Sequence, residues 1–224
     1  MTTPILYIGN KNYSSWSMRP WLALRWAGIA FVEHIIPLGG IGYGKSQIPA
    51  VLAVSPSGRV PALEVDGATI WDSLAISEWA NEQAPGAALW PSDPKARAVA
   101  RAASAEMHSS FAALRRDFSM NIRRRGEPRR TPAGEDAMQD IARVQELWAD
   151  LRARFGAGGP YLFGQRSIVD AMFAPVATRF RTYGVALEPA SQAYADTLLA
   201  DAAFLEWQQA AELEPWTIPS TDAV

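Results

Sequence analysis

Apolar positions change rhythm part-way along the chain. Over the first 83 residues, short apolar runs alternate with amphipathic stretches. Ile5-Leu6-Tyr7-Ile8, closed by Gly9-Asn10, reads as a buried strand. Ser17 to Gly28 reads as a helix, with Ser at its start, Pro20 in its first turn and Gly at its end. Phe31 to Leu38 predicts a second strand, followed by a Gly-rich loop at 39–44 and a short helical stretch near 45–53. Pro61 to Val65 and Thr69 to Trp71 flank Asp66-Gly67, a hairpin signal. Ser73 to Gln83 is helical in pattern. The order β-α-β-α-β-β-α predicts a parallel pairing of the first two strands and an added antiparallel hairpin.

Residues 84–94, rich in Pro and Gly, read as a linker, and everything beyond them has helical spacing. Residues 95–120 form one helical stretch. Thr131-Pro132 opens another, running to Phe155. Gly156 to Pro160 breaks it, Ser167 opens a third, and weaker helices occupy 191–212. The tail from Glu214, with Pro215 and Pro219, is expected to be irregular. The chain thus divides into an α/β domain at 1–83, a linker at 84–94 and an all-α domain at 95–224.

Composition narrows the chemistry. With 224 residues, 49% hydrophobic and 20% charged, the chain can bury a sizeable core. A net charge of −2 argues against a polycation made for nucleic acid. The absence of cysteine excludes disulfides, thiolate-bound metals and a cysteine nucleophile. His34 and His108 are the two histidines, so no multi-histidine metal site is expected. No G-x-S-x-G elbow, signal-type leader or run of 18 apolar residues occurs, so a cytoplasmic protein that neither spans nor binds a membrane is expected.

Four segments carry chemistry or its imitation. Tyr13-Ser14-Ser15-Trp16-Ser17 lies between the first strand and first helix, where hydroxyls and unpaired amides can hold an anion or simply cap the helix. Val60-Pro61 opens a strand; the bond is either an ordinary trans turn or a cis bond that frees the backbone before it for an extended ligand. Trp71-Asp72-Ser73 opens a helix and would either cap it or recognise an amino-acid end group. Ser167-Ile168-Val169-Asp170 is a capping-box pattern and is read as structural.

Together, at these spacings, the segments resemble the cytosolic glutathione transferase superfamily over nearly the whole chain. Ser14-Ser15-Trp16-Ser17-Met18-Arg19 is similar to the Ser-Ser-Cys-Ser-Trp-Arg signature of its zeta class, with Trp16 in place of Cys. Val60-Pro61 matches the family's cis-proline motif, Asp72-Ser73 its γ-glutamyl-binding pair, and Ser167 to Asp170 its buried capping box. The resemblance implies a thioredoxin-like N-terminal domain, an all-helical C-terminal domain, glutathione as cosubstrate and a homodimer. It puts Ser14, with Ser15 as the close alternative, at the catalytic hydroxyl. It puts Val60 on the cysteinyl unit of glutathione, Asp72 and Ser73 on its γ-glutamyl end, and Lys45 on its glycyl carboxylate.

The resemblance also implies a pocket for a small electrophile between the domains. Trp16, His108, Phe111 and Arg115 are the lining candidates, with Glu106 and Met120 beside them. Tyr7 is read as a strand residue, and the arginines at 123–125 and 129–130 as a solvated run. The implied reaction is conjugation of the glutathione thiolate. The alternatives are glutathione-dependent cis–trans isomerisation of a small diacid, and a non-catalytic binding module of the same fold. A thiol–disulfide oxidoreductase of this fold would need the cysteine that the chain lacks.

Overall fold

The computed structural model describes residues 2–40 and 43–223. Part of the Gly-rich loop expected at 39–44 therefore lies outside the described residues. The N-terminal part is built from β1 (Ile5–Ile8), α1 (Ser15–Trp26), β2 (Val32–Ile35), α2 (Pro49–Leu52), β3 (Ala62–Val65), β4 (Ala68–Trp71) and α3 (Ser73–Gln83). The sheet order is β2-β1-β3-β4. β1 pairs parallel with β2, which α1 makes possible as the crossover, and antiparallel with β3. Leu6 and Ile8 of this central strand are fully buried.

The hairpin forms where its turn residues predict it. Asp66 and Gly67 have φ of 47° and 80°, the paired left-handed conformation of a two-residue turn that matches strand twist. β2 is shorter than the expected 31–38, and Leu38 beyond it donates its amide to Asn10 Oδ1 at 2.6 Å instead.

The rest is helical: α4 (Pro94–Ser109), α5 (Ala112–Asp117), α6 (Glu135–Phe155), α7 (Ile168–Tyr183), α8 (Pro189–Leu199), α9 (Ala202–Leu213) and α10 (Pro219–Asp222). Three expectations change. The stretch 95–120 is two helices, because Phe111 turns left-handed (φ 62°) to bury its ring. The helix expected from Thr131 begins at Glu135, after Gly134 has donated its amide to Asp117. The tail expected to be irregular carries α10, anchored by buried Ile218.

α7 is the axis of the helical part. Every residue of it except Arg181 is buried. Trp148 of α6 meets Phe173, Phe180 and Tyr194 edge-on at centroid distances of 5.8, 5.7 and 4.8 Å. The capping box forms as expected: Asp170 accepts from Ser167 N at 2.8 Å and from Ser167 Oγ at 2.9 Å. α1 packs against α3 on one side and α7 on the other. The start of α1 is therefore held by both halves of the chain. No helix among the described residues is long and apolar enough to cross a membrane.

Candidate active site

A cleft of about 600 Å³ opens where α1, β3 and α3 all begin, with α4 closing one side. Each of those starts contributes a polar group. At α1, Ser14 is the N-cap residue, yet its side chain makes no bond to the helix amides. Its Oγ lies 2.7 Å from Ser17 Oγ, and Ser17 Oγ accepts from Gly9 N at 3.1 Å. With that lone pair engaged, Ser17 is free to donate to Ser14, which leaves the Ser14 proton available to the cleft.

The neighbouring hydroxyl points elsewhere. Ser15 Oγ accepts from Arg179 Nη2 at 2.9 Å, and Arg179 also donates to the carbonyl of Phe118. Ser14 lines the cleft and Ser15 does not, because one residue along a helix is a rotation of about 100°.

The turn before Ser14 is clamped from far away. Tyr13 and Ser14 donate their amides to Asn10 O. Glu214 accepts from Lys11 N at 2.7 Å and Asn12 N at 3.1 Å. Burial pushes the Glu214 carboxyl up, against those two amide bonds. Arg123, expected in a solvated run, instead donates to Glu214 O, Trp216 O and Tyr13 Oη.

At β3 the Val60–Pro61 bond is cis, and both residues line the cleft. Gly58 just before them has φ 65°, and a Cβ there would sit 2.3 Å from Ser46 O. Gly58→Ala should therefore displace the 43–46 segment that walls the cleft. The expected result is a stability loss of about 1–3 kcal/mol, read by thermal unfolding.

At α3, Asp72 adopts φ 83°, and its Oδ1 caps the helix by accepting from Leu74 N at 2.8 Å and Ala75 N at 3.4 Å. Its Oδ2 lies 3.1 Å from His108 Nε2 of α4. Ser73 beside it is 1% exposed, and its Oγ has no hydrogen-bond partner in the protein. His108 thus reaches the cleft from the helical side but is tied to Asp72. Trp16 stands edge-on to His108, with centroids 5.2 Å apart.

The other sequence candidates do not meet here. Lys45 is exposed and outside the cleft wall, whereas Arg59 is in it, with Nε donating to Ser46 Oγ at 3.0 Å. Phe111 is 4% exposed in the apolar core. Arg115 sits behind Trp16, donating to the carbonyls of Met107 and Ser110. Glu106 pairs with Arg143, and Met120 is buried. Tyr7 is half-buried and donates to Glu64 at 2.9 Å, outside the cleft. Sequence reasoning missed Ser17 as a partner of Ser14, Arg59 as the cation of the wall, and Glu214 as the clamp. Only Ser17 carried a local signal, its spacing of three from Ser14. Among the described residues no group of three or more His, Asp or Glu could hold a metal ion.

Comparison with known proteins converges on one family. The model of the glutathione S-transferase N-terminal domain matches residues 13–83, and that of the C-terminal domain matches residues 97–211. A maleylacetoacetate isomerase of Pseudomonas aeruginosa is 32% identical over 207 residues, 89% of this chain and 92% of that protein. One of Rattus norvegicus is 31% identical over 188 residues, 83% of this chain and 82% of that protein. Among solved structures, a glutathione transferase homologue of Burkholderia with bound glutathione has a TM-score of 0.71 at 26% identity, covering 93% of this chain and 97% of that one. The chain belongs to the glutathione S-transferase family, glutathione-dependent enzymes with a thioredoxin-like N-terminal domain and a helical C-terminal domain.

Proposed function

We propose that this chain is a glutathione transferase in which Ser14 holds the glutathione sulfur as thiolate for attack on a small electrophile. The observation that carries the reading is a hydroxyl that caps no amide at the N-terminus of α1, in one cleft with cis Val60–Pro61 and the unpartnered Ser73 Oγ. Ser14 would donate to the sulfur, and the α1 amides and dipole would favour its negative charge. The thiol proton passes to solvent, and the sulfur forms the new bond to the electrophilic carbon as that carbon releases its leaving group, which is chloride when the electrophile is chlorodinitrobenzene. Ser73 and the α3 amides would take the γ-glutamyl carboxylate, and Asp72 its ammonium. Val60 would pair its backbone with the cysteinyl unit, and Arg59 stands nearer than Lys45 for the glycyl carboxylate. Ser15 belongs to the interface with α7 in this reading.

Asp72→Asn separates binding from folding. Asn caps a helix about as well as Asp. The loss of charge toward an ammonium should raise the KM for glutathione about tenfold. The melting temperature should stay within about 2 °C of wild type. An unchanged KM would remove Asp72 from the binding site.

The second reading is isomerisation of a small cis diacid, supported by the two relatives above, both maleylacetoacetate isomerases. Parallel assays with chlorodinitrobenzene and maleylacetone decide between them. Glutathione retention without either activity would favour a binding module. We further propose residues 1–83 and 95–224 as the two domains, joined by 84–94, a cytoplasmic location, and a homodimer packing each N-terminal domain on the other subunit's C-terminal domain. Sedimentation at the mass of a single chain would contradict the dimer.

A further inference from the structure

Arg19 contributes nothing to the steps above, yet it is the most unfavourably placed charge among the described residues of the cleft region. It is fully buried, and its Nε, Nη1 and Nη2 all lack hydrogen-bond partners. A buried charge is normally paired, because unpaired burial is strongly destabilising. The guanidinium lies 4.3 Å from the centroid of the Trp16 ring, and Arg115 lies 4.9 Å from the same ring. The indole is thus flanked by two guanidinium groups, one from α1 and one from α5.

The surrounding charges do not cancel this one. Arg115 and Arg179 both act on Arg19 with like charge, and Asp72, which opposes them, makes no hydrogen bond to Arg19 but caps α3 and pairs with His108. Asp140 of α6 acts on Arg115 and accepts from Leu114 N. Burial, reinforced by the two neighbouring arginines, pulls the Arg19 pKa well down. Arginine starts so high that the charge survives near neutral pH.

We infer that Arg19 is a fixed positive charge set behind the cleft wall, lowering the pKa of the glutathione thiol by its field across Trp16. The inference rests on the cleft holding glutathione as proposed above. Trp16 and Ser14 line the same cleft. A charge in a desolvated wall is screened far less by salt and by water, so it acts over a longer reach than a surface arginine. Arg19 touches no substrate; it is an electrostatic positioning residue, and its destabilising burial is what function would require of it.

The test is a pH titration of the ultraviolet thiolate band of the glutathione complex in wild type, Arg19→Met and Arg19→Gln. Both variants remove the charge, one leaving an apolar side chain and one a polar one, so either can carry the test if the other does not accumulate. The expected result is a thiol pKa raised by about one unit in each. Turnover at pH 6.5 should fall about tenfold and converge with wild type in alkali, while the KM for glutathione changes less than about twofold. Arg19→Met should melt at or above the wild-type temperature, the opposite of what a structural role would give. A thiol pKa equal to wild type in both variants would overturn the inference. A wild-type complex without any thiolate band would overturn the glutathione reading beneath it.

Discussion

Asp170→Ala should unfold about 10 °C below wild type or fail to accumulate as soluble protein. Asp170 is fully buried at the start of α7 and accepts four hydrogen bonds: from Leu162 N at 3.2 Å, Ser167 N at 2.8 Å, Ser167 Oγ at 2.9 Å and Tyr194 Oη at 2.9 Å. Removing the carboxylate strands four buried donors and opens a cavity, a loss of about 3–5 kcal/mol. Because α7 packs on α1, the damage extends to the site.

The same residue gives stability a pH dependence. Burial outweighs its hydrogen bonds and holds its carboxyl up at about 6. In the unfolded chain the value is about 3.9, so between these limits the folded state binds the proton more tightly. The contribution of Asp170 is therefore fully favourable below about pH 4 and is lost as pH rises through 6, by about 2–3 kcal/mol. Denaturant unfolding of wild type against Asp170→Asn, which cannot titrate, should show wild type losing that amount of stability relative to the variant from pH 4 to pH 7. A difference that is flat over this range would show that Asp170 stays ionised throughout.

Ser14→Ala should lower kcat with chlorodinitrobenzene at pH 6.5 by about 10- to 100-fold, the worth of one hydrogen bond to a charged sulfur. The KM for glutathione should change less than about twofold, because Ser73, Asp72 and Val60 are untouched. The deficit should shrink as pH rises, since alkali supplies the thiolate that the hydroxyl no longer stabilises. Ser15→Ala should leave this profile in place and act instead on stability, because Ser15 Oγ accepts from buried Arg179. Turnover unchanged in both variants would remove the serine from the mechanism.

What the sequence makes legible is what neighbours decide. Asp66-Gly67 specifies its turn within two residues, and Ser167 with Asp170 specifies a helix start within four. The family motifs, too, are local words at fixed spacing. What stays illegible is decided across the chain. Ser14 and Ser15 are chemically equal in sequence; the choice between them falls to Arg179, 164 residues beyond Ser15. Phe111 looks like helix interior, and only the core that buries its ring forces the left-handed break. Arg123 reads as solvated until the tail returns to accept its hydrogen bonds. Lys45 and Arg59 are interchangeable cations by composition, and the course of the loop puts Arg59 in the wall. His108 reads as a pocket residue and does line the cleft; its pairing there with Asp72 is decided by the approach of α4 to α3.

The central claim is that Ser14 holds the glutathione sulfur. A crystal structure of the wild-type protein with glutathione bound tests it most directly. The expected result is the sulfur within hydrogen-bonding reach of Ser14 Oγ, the γ-glutamyl carboxylate on Ser73, and Ser15 still held by Arg179. Glutathione lying in the cleft with its sulfur turned away from Ser14, or bound outside the cleft altogether, would contradict it.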